Sequence, residues 1–313
     1  MPPKITRIEL DYTTASNYRR CPRKAFFENF RGLRPKDSTD ALAFGQILHA
    51  GLESLYTTNL DTALAHIDTE AATTPLRNIV PTERRSIDHA KLLLTRYSEN
   101  YFPDVISPTF FETTHRIKLS VLNDVEIWYG GTLDMLESPA TGEPRVIETK
   151  TTSYLGSSFM DRCHPNDQGT GYCILAADKL ARPVHTILFN GISTSGYGLK
   201  SDAAKWPINS EPSKLFLRME SHRTDDELED FRFRMVCTAK DILRDFREFL
   251  NSGNDAYDYI SCNPPDACTM FNTTCPYIDL CRAKQETRET LIRNTLIHEP
   301  WRGFRVTLEG ADA

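Results

Sequence analysis

No uninterrupted apolar run in the chain approaches the roughly 18 residues that a membrane helix needs. The opening, MPPKITRIELDY, lacks the apolar stretch of a secretory signal, so the expected setting is the cytoplasm. Internal repeats and low-complexity tracts are absent, which argues against a solenoid or a disordered linker protein. There is no GxxxxGK[ST] phosphate loop either, so any ATP-driven motor that assists the protein must be another chain. An excess of positive charge is also missing: 37 Lys and Arg face 43 Asp and Glu, a net charge of −6. That excludes coating nucleic acid by bulk charge, but not an enzyme with a local basic patch.

What the sequence does contain is ordinary for a soluble globular protein. Its 313 residues, 40% hydrophobic and 26% charged, can bury a sizeable core. Arg19, Arg20, Arg23, Lys24, Arg31, Arg34 and Lys36 crowd a segment in which Glu28 is the only acid. The patch reads equally as a solvated helix face or as a phosphate-contacting one. Without an export signal, the 8 cysteines read as thiols or metal ligands before disulfides. Cys262, Cys268, Cys275 and Cys281 cluster late and Cys21 lies early, while Cys163, Cys173 and Cys237 read as small buried hydrophobes.

Apolar spacing predicts helices over 13–30, 41–57, 60–77 and 82–101. Segments 111–121 and 124–137 read as a hairpin around Asn123-Asp124, and Val146-Ile147 begin another strand. A helix over 166–181, strands at 184–190 and 214–221, and a long helix over 225–250 follow, the last with Leu228, Phe231, Phe233 and Met235 on its apolar list. The remainder reads as loop until a final strand at 302–308. This order suits an α/β core with helical additions.

GGTLDML followed by RVIETKTT places Asp134 on one strand and Glu148 and Lys150 on the next. Strand alternation puts Glu148 and Lys150 on one face, with Thr149 between them. Two carboxylates converging with a lysine at a sheet edge would repel unless a cation sat between the acids. Asp134 and Glu148 are suited to hold Mg²⁺ or Mn²⁺ at a scissile phosphate, with Lys150 orienting water or stabilising charge. Taken alone, an E-x-K triplet reads as often as a solvated hairpin. His49 and Glu53 are four apart on one helix face, and so are Gln168 and Tyr172. The second pair is placed to hydrogen-bond or to stack on a nucleotide.

The succession Gly45 to His49, Gly131 to Asp134, Glu148 to Lys150 and Gln168 to Tyr172 resembles the RecB-like branch of the PD-(D/E)XK nucleases. The resemblance implies His49, Asp134, Glu148 and the main-chain carbonyl of Thr149 as metal ligands, and Lys150 as the catalytic lysine. It places Gln168 and Tyr172 on a DNA-associated helix, and Arg19, Arg20, Arg23 and Lys24 are the candidate phosphate contacts. Glu53 would support the site from behind. A nitrogen ligand makes Mn²⁺ credible beside Mg²⁺.

The setting of Cys21, SNYRRCPRKAFF, resembles the iron–sulfur members of the same family, of AddB and CRISPR-adaptation type. There one early cysteine joins three late ones around a [4Fe–4S] cluster. The implied ligands are Cys21, Cys268, Cys275 and Cys281, with Cys262 competing with Cys268. Six residues separate Cys268 from Cys275, where the family usually has two, and zinc is the alternative occupant. Such a cluster would staple distant chain segments together.

The implied fold is a restriction-endonuclease-like α/β core, a mixed sheet flanked by helices, with a helical N-terminal region and a Cys-rich lobe. The expected organisation is one nuclease domain over 1–313, with 1–36 and 255–285 forming the iron–sulfur lobe and 37–254 the helical insertion and catalytic core. The implied activity is DNA cleavage, exonucleolytic and on single strands or ends, in recombination, repair or replication. A helicase or recombination protein in trans and a phage or prokaryotic origin accompany it. A CRISPR-adaptation nuclease and a catalytically silent iron–sulfur scaffold are the rival expectations.

Overall fold

The computed structural model describes residues 4–36, 40–74, 85–194, 211–252, 260–263, 267–270 and 273–309. The chain begins with β1 (Ile5–Leu10), α1 (Tyr12–Arg20), α2 (Pro22–Ala25), a π-helical turn at Phe26–Phe30 and β2 (Leu33–Pro35). Three helices follow, α3 (Asp40–Thr57), α4 (Leu60–Thr73) and α5 (Ile87–Tyr101). Next come β3 (Phe110–Leu122), β4 (Val125–Glu137), β5 (Arg145–Thr152), α6 (Ser157–Met160), α7 (Asp167–Leu180) and β6 (Thr186–Ser193). After α8 (Pro212–Leu215), β7 (Phe216–His222) and α9 (Asp225–Ser252) come β8 (Thr269–Met270) and β9 (Thr273–Thr274). The chain closes with α10 (Ile278–Arg282), α11 (Gln285–Thr295), β10 (Leu296–His298) and β11 (Phe304–Leu308).

These elements form two compact units, residues 38–114 with 132–228, and residues 1–37 with 115–131 and 229–313. In the first, β5 pairs antiparallel with the end of β4 and parallel with β6, and β6 pairs antiparallel with β7. The result is a mixed sheet. Helices α3, α4 and α5 bury Phe44, Ile47, Leu48, Leu52, Ile67, Leu93 and Leu94 in one cluster with Ile192, Leu215 and Phe216. Gly51 permits this packing: a Cβ there would lie 2.8 Å from Cγ1 of Ile67. Helix α7 packs against β5 and β6. Beneath α5, Arg218 of β7 pairs with Asp104 at 2.5 Å and donates to the hydroxyls of Tyr56 and Tyr97.

In the second unit, β1 pairs antiparallel with β11 and parallel with the start of β4, while β2 pairs with β10. Phe26, Phe27, Leu33, Ile260, Tyr277, Leu280 and Leu296 form its apolar cluster, against which Cys275 and Cys281 pack.

Several expectations are corrected. The helix expected over 13–30 breaks at Cys21, which is extended (φ −157°, ψ 105°) because the following Pro22 disfavours helical backbone before it. Residues 75–84, within the expected second pair of helices, lie outside the described residues; the described parts end at Thr73 and begin at Ile87. The segment expected to be loop contains α11, a helix with no fully buried residue and hence no apolar stripe to announce it. Strand β1 was not expected, although Ile5, Ile8 and Leu10 are buried. On α9 the buried line is Phe231, Met235, Ala239 and Ile242, which turns Phe233 outward, 68% exposed. Cys237 lies on the exposed side of the same helix, so it is not a buried hydrophobe, unlike Cys163 and Cys173.

Candidate active site

The ladder between β4 and β5 ends at the rung Met135–Ile147. One step further along the same register stand Asp134 and Glu148, where the two strands part. Their neighbours Leu133, Met135, Val146 and Ile147 are buried and fix both strands. At this fork the main-chain N–H of Thr149 donates to Oδ2 of Asp134 at 2.8 Å. Cross-strand from Thr149 on β6, Asn190 donates from Nδ2 to Oγ1 of Thr149 and to the hydroxyl of Tyr97.

Helix α3 delivers the imidazole. With Leu48 and Leu52 turned into the core, His49 faces the fork, its Nδ1 3.6 Å from Oδ2 of Asp134. It also makes a hydrogen bond with the backbone of Thr149. Lys150 forms an ion pair with Oε1 of Glu148, while Oε2 is buried without a hydrogen-bond partner. His49, Asp134, Glu148, Thr149 and Lys150 are thus brought together. An open cleft of about 430 Å³ is lined by His49, Glu53, Glu112, Asp134, Thr149 and Lys150, among others.

Burial dominates the electrostatics. It pushes Asp134 up to about 6, against the pull of Lys150. Burial and then the charge of Asp134 push Glu148 up to about 7. Burial, joined by the charge of Lys150, outweighs the pull of Glu148 and holds His49 below the usual imidazole range, which favours the neutral form that ligates metals. An imidazole, the carboxylate of Asp134 and the unsatisfied buried oxygen of Glu148 form a donor set that fits a small divalent cation.

Sequence reasoning missed Glu112, at the start of β3. Together with His49 and Asp134 it offers ligand atoms that all lie within 4.8 Å of one another. Loss of solvation, then the carboxylates of Asp134, Glu53 and Glu148, push it up to about 7. Its one local sign is a backbone at φ 38°, which sequence does not advertise.

The residues expected to touch DNA are differently placed. Gln168 and Tyr172 sit on α7, whose first turn is capped by Asn166 accepting from Gly169 N at 2.8 Å. Gln168 donates to the hydroxyl of Tyr172 at 2.9 Å, and Tyr172 is 8% exposed. In the other unit Arg19 and Arg20 are exposed. Arg23 is bonded to the Ile260 carbonyl, and Lys24 to Asn17 and Glu28. Arg34 pairs with Glu28, and Lys36 with the Arg293 carbonyl, so much of the basic segment is engaged within its own unit.

A family model for the PD-(D/E)XK nuclease superfamily matches residues 9–282. The chain belongs to the PD-(D/E)XK nuclease superfamily. Membership implies phosphodiester hydrolysis, and nucleases of this superfamily use divalent metals, for which the His49–Glu112–Asp134 group is a possible site. No curated protein matches the chain. Among solved structures, it is similar to a protein provisionally assigned as an exonuclease from Eubacterium rectale, at 12% identity and a TM-score of 0.46, covering 88% of this chain and 87% of that one. It is similar also to SSO0001, at 14% identity and a TM-score of 0.31 over 64% of this chain and 74% of that one. LHK-Exo, solved with dAMP, matches at 11% identity and a TM-score of 0.30, over 67% of this PD-(D/E)XK chain and 96% of its own.

Proposed function

We propose that the chain is a Mg²⁺- or Mn²⁺-dependent deoxyribonuclease, an exonuclease acting on single-stranded DNA or DNA ends in recombination, repair or replication. The observation that carries this reading is the buried carboxylate of Glu148, within electrostatic reach of Asp134 and His49, with a lysine on one oxygen and no hydrogen-bond partner on the other. His49, Asp134, Glu148 and the Thr149 carbonyl would hold the ion. Once bound, the ion would polarise the scissile phosphate and make water acidic enough to attack at neutral pH.

The chain's own groups do the remaining work. Thr149 N–H fixes the orientation of the Asp134 carboxylate, and Asn190 and Tyr97 fix Thr149 in turn. Lys150, with its side chain 41% exposed, is placed to hold the attacking water or a phosphate oxygen at the cleft. Water oxygen bonds to phosphorus, the ester P–O bond breaks, and the departing oxygen takes a proton. Gln168, Tyr172, Arg19, Arg20, Arg23 and Lys24 are the proposed DNA contacts, and Glu53 supports the site.

The second part of the proposal is a [4Fe–4S] cluster held by Cys21, Cys268, Cys275 and Cys281, as in the iron–sulfur branch of RecB-like nucleases. Cys275 is pushed up by burial first, and feels the neighbouring thiols of Cys21 and Cys268. Burial likewise raises Cys281 to about 11, with Cys275 and Cys21 adding to the shift. The Cys275 N–H donates to the Cys268 carbonyl, while Cys262 is exposed, which favours Cys268 as the ligand. Residues 1–36 and 255–285 would form this lobe, in a cytoplasmic enzyme of the cell itself or of a phage within its host.

The test is degradation of end-labelled single-stranded DNA with Mn²⁺ by wild type and by Lys150→Ala. Wild-type cutting that falls at least about 100-fold in the variant is expected. Equal DNA binding with no cutting by either protein would favour a silent scaffold instead.

A further inference from the structure

Glu112 belongs to none of the motifs that carry the nuclease reading, yet it reaches the same point in space from a separate strand. Helix α3 supplies His49, β4 supplies Asp134, and β5 supplies Glu148 and Thr149. Strand β3 supplies Glu112, with a carboxylate oxygen inside the 4.8 Å group that includes ligand atoms of His49 and Asp134. Its residue lies at φ 38°, in a region that non-glycine residues seldom occupy. Such a kink re-aims a strand side chain, here toward a cleft that already contains Glu53 and Asp134.

Acids alone can gather at a surface for no reason. The second observation is Glu148, whose side chain is only 2% exposed and whose Oε2 has no hydrogen-bond partner. That carboxylate lies within electrostatic reach of His49, Asp134 and Glu112, and a buried oxygen without a donor in such company asks for a cation. We propose that Glu112 is a further ligand of the divalent ion. Three carboxylates, the His49 imidazole and the Thr149 carbonyl then surround it. This rests on the nuclease reading, which itself requires only His49, Asp134, Glu148 and Thr149. The added carboxylate makes the set richer in hard oxygen, the character that suits Mg²⁺ and Mn²⁺.

Direct Mn²⁺ binding by the full-length protein, followed through the EPR signal of free Mn²⁺, tests the assignment without using activity. Glu112→Gln should weaken binding on the order of ten-fold or more, the scale seen when groups supporting a metal site are lost. Glu70→Gln, in the same cleft but outside the tight group, should change it less than about three-fold. Asp134→Asn should abolish saturable binding. Thermal melting in EDTA checks folding, and Glu112→Gln should melt no lower than wild type, because it removes one of several like charges. Wild-type affinity in Glu112→Gln, with binding lost in Asp134→Asn, overturns the role of Glu112 and leaves the nuclease reading standing. A wild type with no saturable Mn²⁺ binding overturns both.

Discussion

Glu148 divides its two oxygens between a lysine and nothing, yet burial and the charge of Asp134 outweigh that lysine in setting how the carboxyl responds to pH. Glu148 and Glu112 are raised to about 7 and Asp134 to about 6, while in an unfolded chain such groups titrate near pH 4. Between those limits the folded protein holds protons that the unfolded chain has released. Stability from these groups is therefore full below about pH 4 and is lost as pH rises toward 7. His49, depressed by burial, works the other way, contributing stability that is lost as pH falls. In EDTA, Glu148→Gln should be more stable than wild type by on the order of 1–3 kcal/mol at neutral pH, with the two converging near pH 5. Its lost partner, Lys150, is exposed enough that the broken pair costs little. A glutamine variant that melts below wild type at neutral pH would refute Glu148 as an under-compensated charge. Excess Mn²⁺ should reverse the order, because only the carboxylate binds the ion well.

At the scale of elements, the Arg218 network ties β7, α5 and the end of α3 to the strand that carries the site. Burial alone would raise Asp104, but hydrogen bonds from Arg218 and Tyr56 outweigh it and hold the carboxyl below the usual range. Arg218→Met strands that buried charge and should cost about 3–5 kcal/mol. Adding Asp104→Leu should restore much of the loss, and a double-mutant cycle in urea measures the coupling. Additive losses would show that the pair is not energetically linked. Elements with strong apolar periodicity, such as α3, α7 and β5, were legible in the sequence, as was the hairpin at Asn123-Asp124, whose two residues take φ 48° and 65°. Elements without that signal were not. Helix α11 buries no residue fully, and β1 is short, its fit depending on partners remote in sequence. The grouping of His49, Asp134, Glu148 and Lys150 was legible because the order of their motifs resembles that of a known nuclease family. Glu112 was not, since what brings it to the cleft is a backbone kink rather than a pattern of side chains.

For the whole molecule, the two compact units separate the candidate sites: one contains His49, Asp134, Glu148 and Lys150, and the other all four proposed cluster cysteines. In the latter, the early and late parts of the chain are already joined without any cluster. Tyr277 donates to the Leu33 carbonyl, Arg23 N–H to Ser261, Asn263 to Arg20, and β1 pairs with β11. A cluster would add to that closure rather than create it. Cys275→Ser should therefore lose the brown colour of anaerobically purified protein and on the order of several kcal/mol of stability, without unfolding the hydrolytic unit. Mn²⁺ binding retained in the colourless variant is the expected result. A colourless wild type carrying stoichiometric zinc would reassign the metal.

The parting of β4 from β5 leaves its mark on how an inactive variant should be made. Thr149, 2% exposed, relies on the side chain of Asp134 as the acceptor for its N–H. Truncating position 134 to alanine would therefore orphan a buried amide as well as remove a ligand, and a dead enzyme so obtained could be dead through a frayed sheet. Asparagine keeps an oxygen for that amide, so a loss of cutting in Asp134→Asn would report on the proposed chemistry rather than on a frayed sheet.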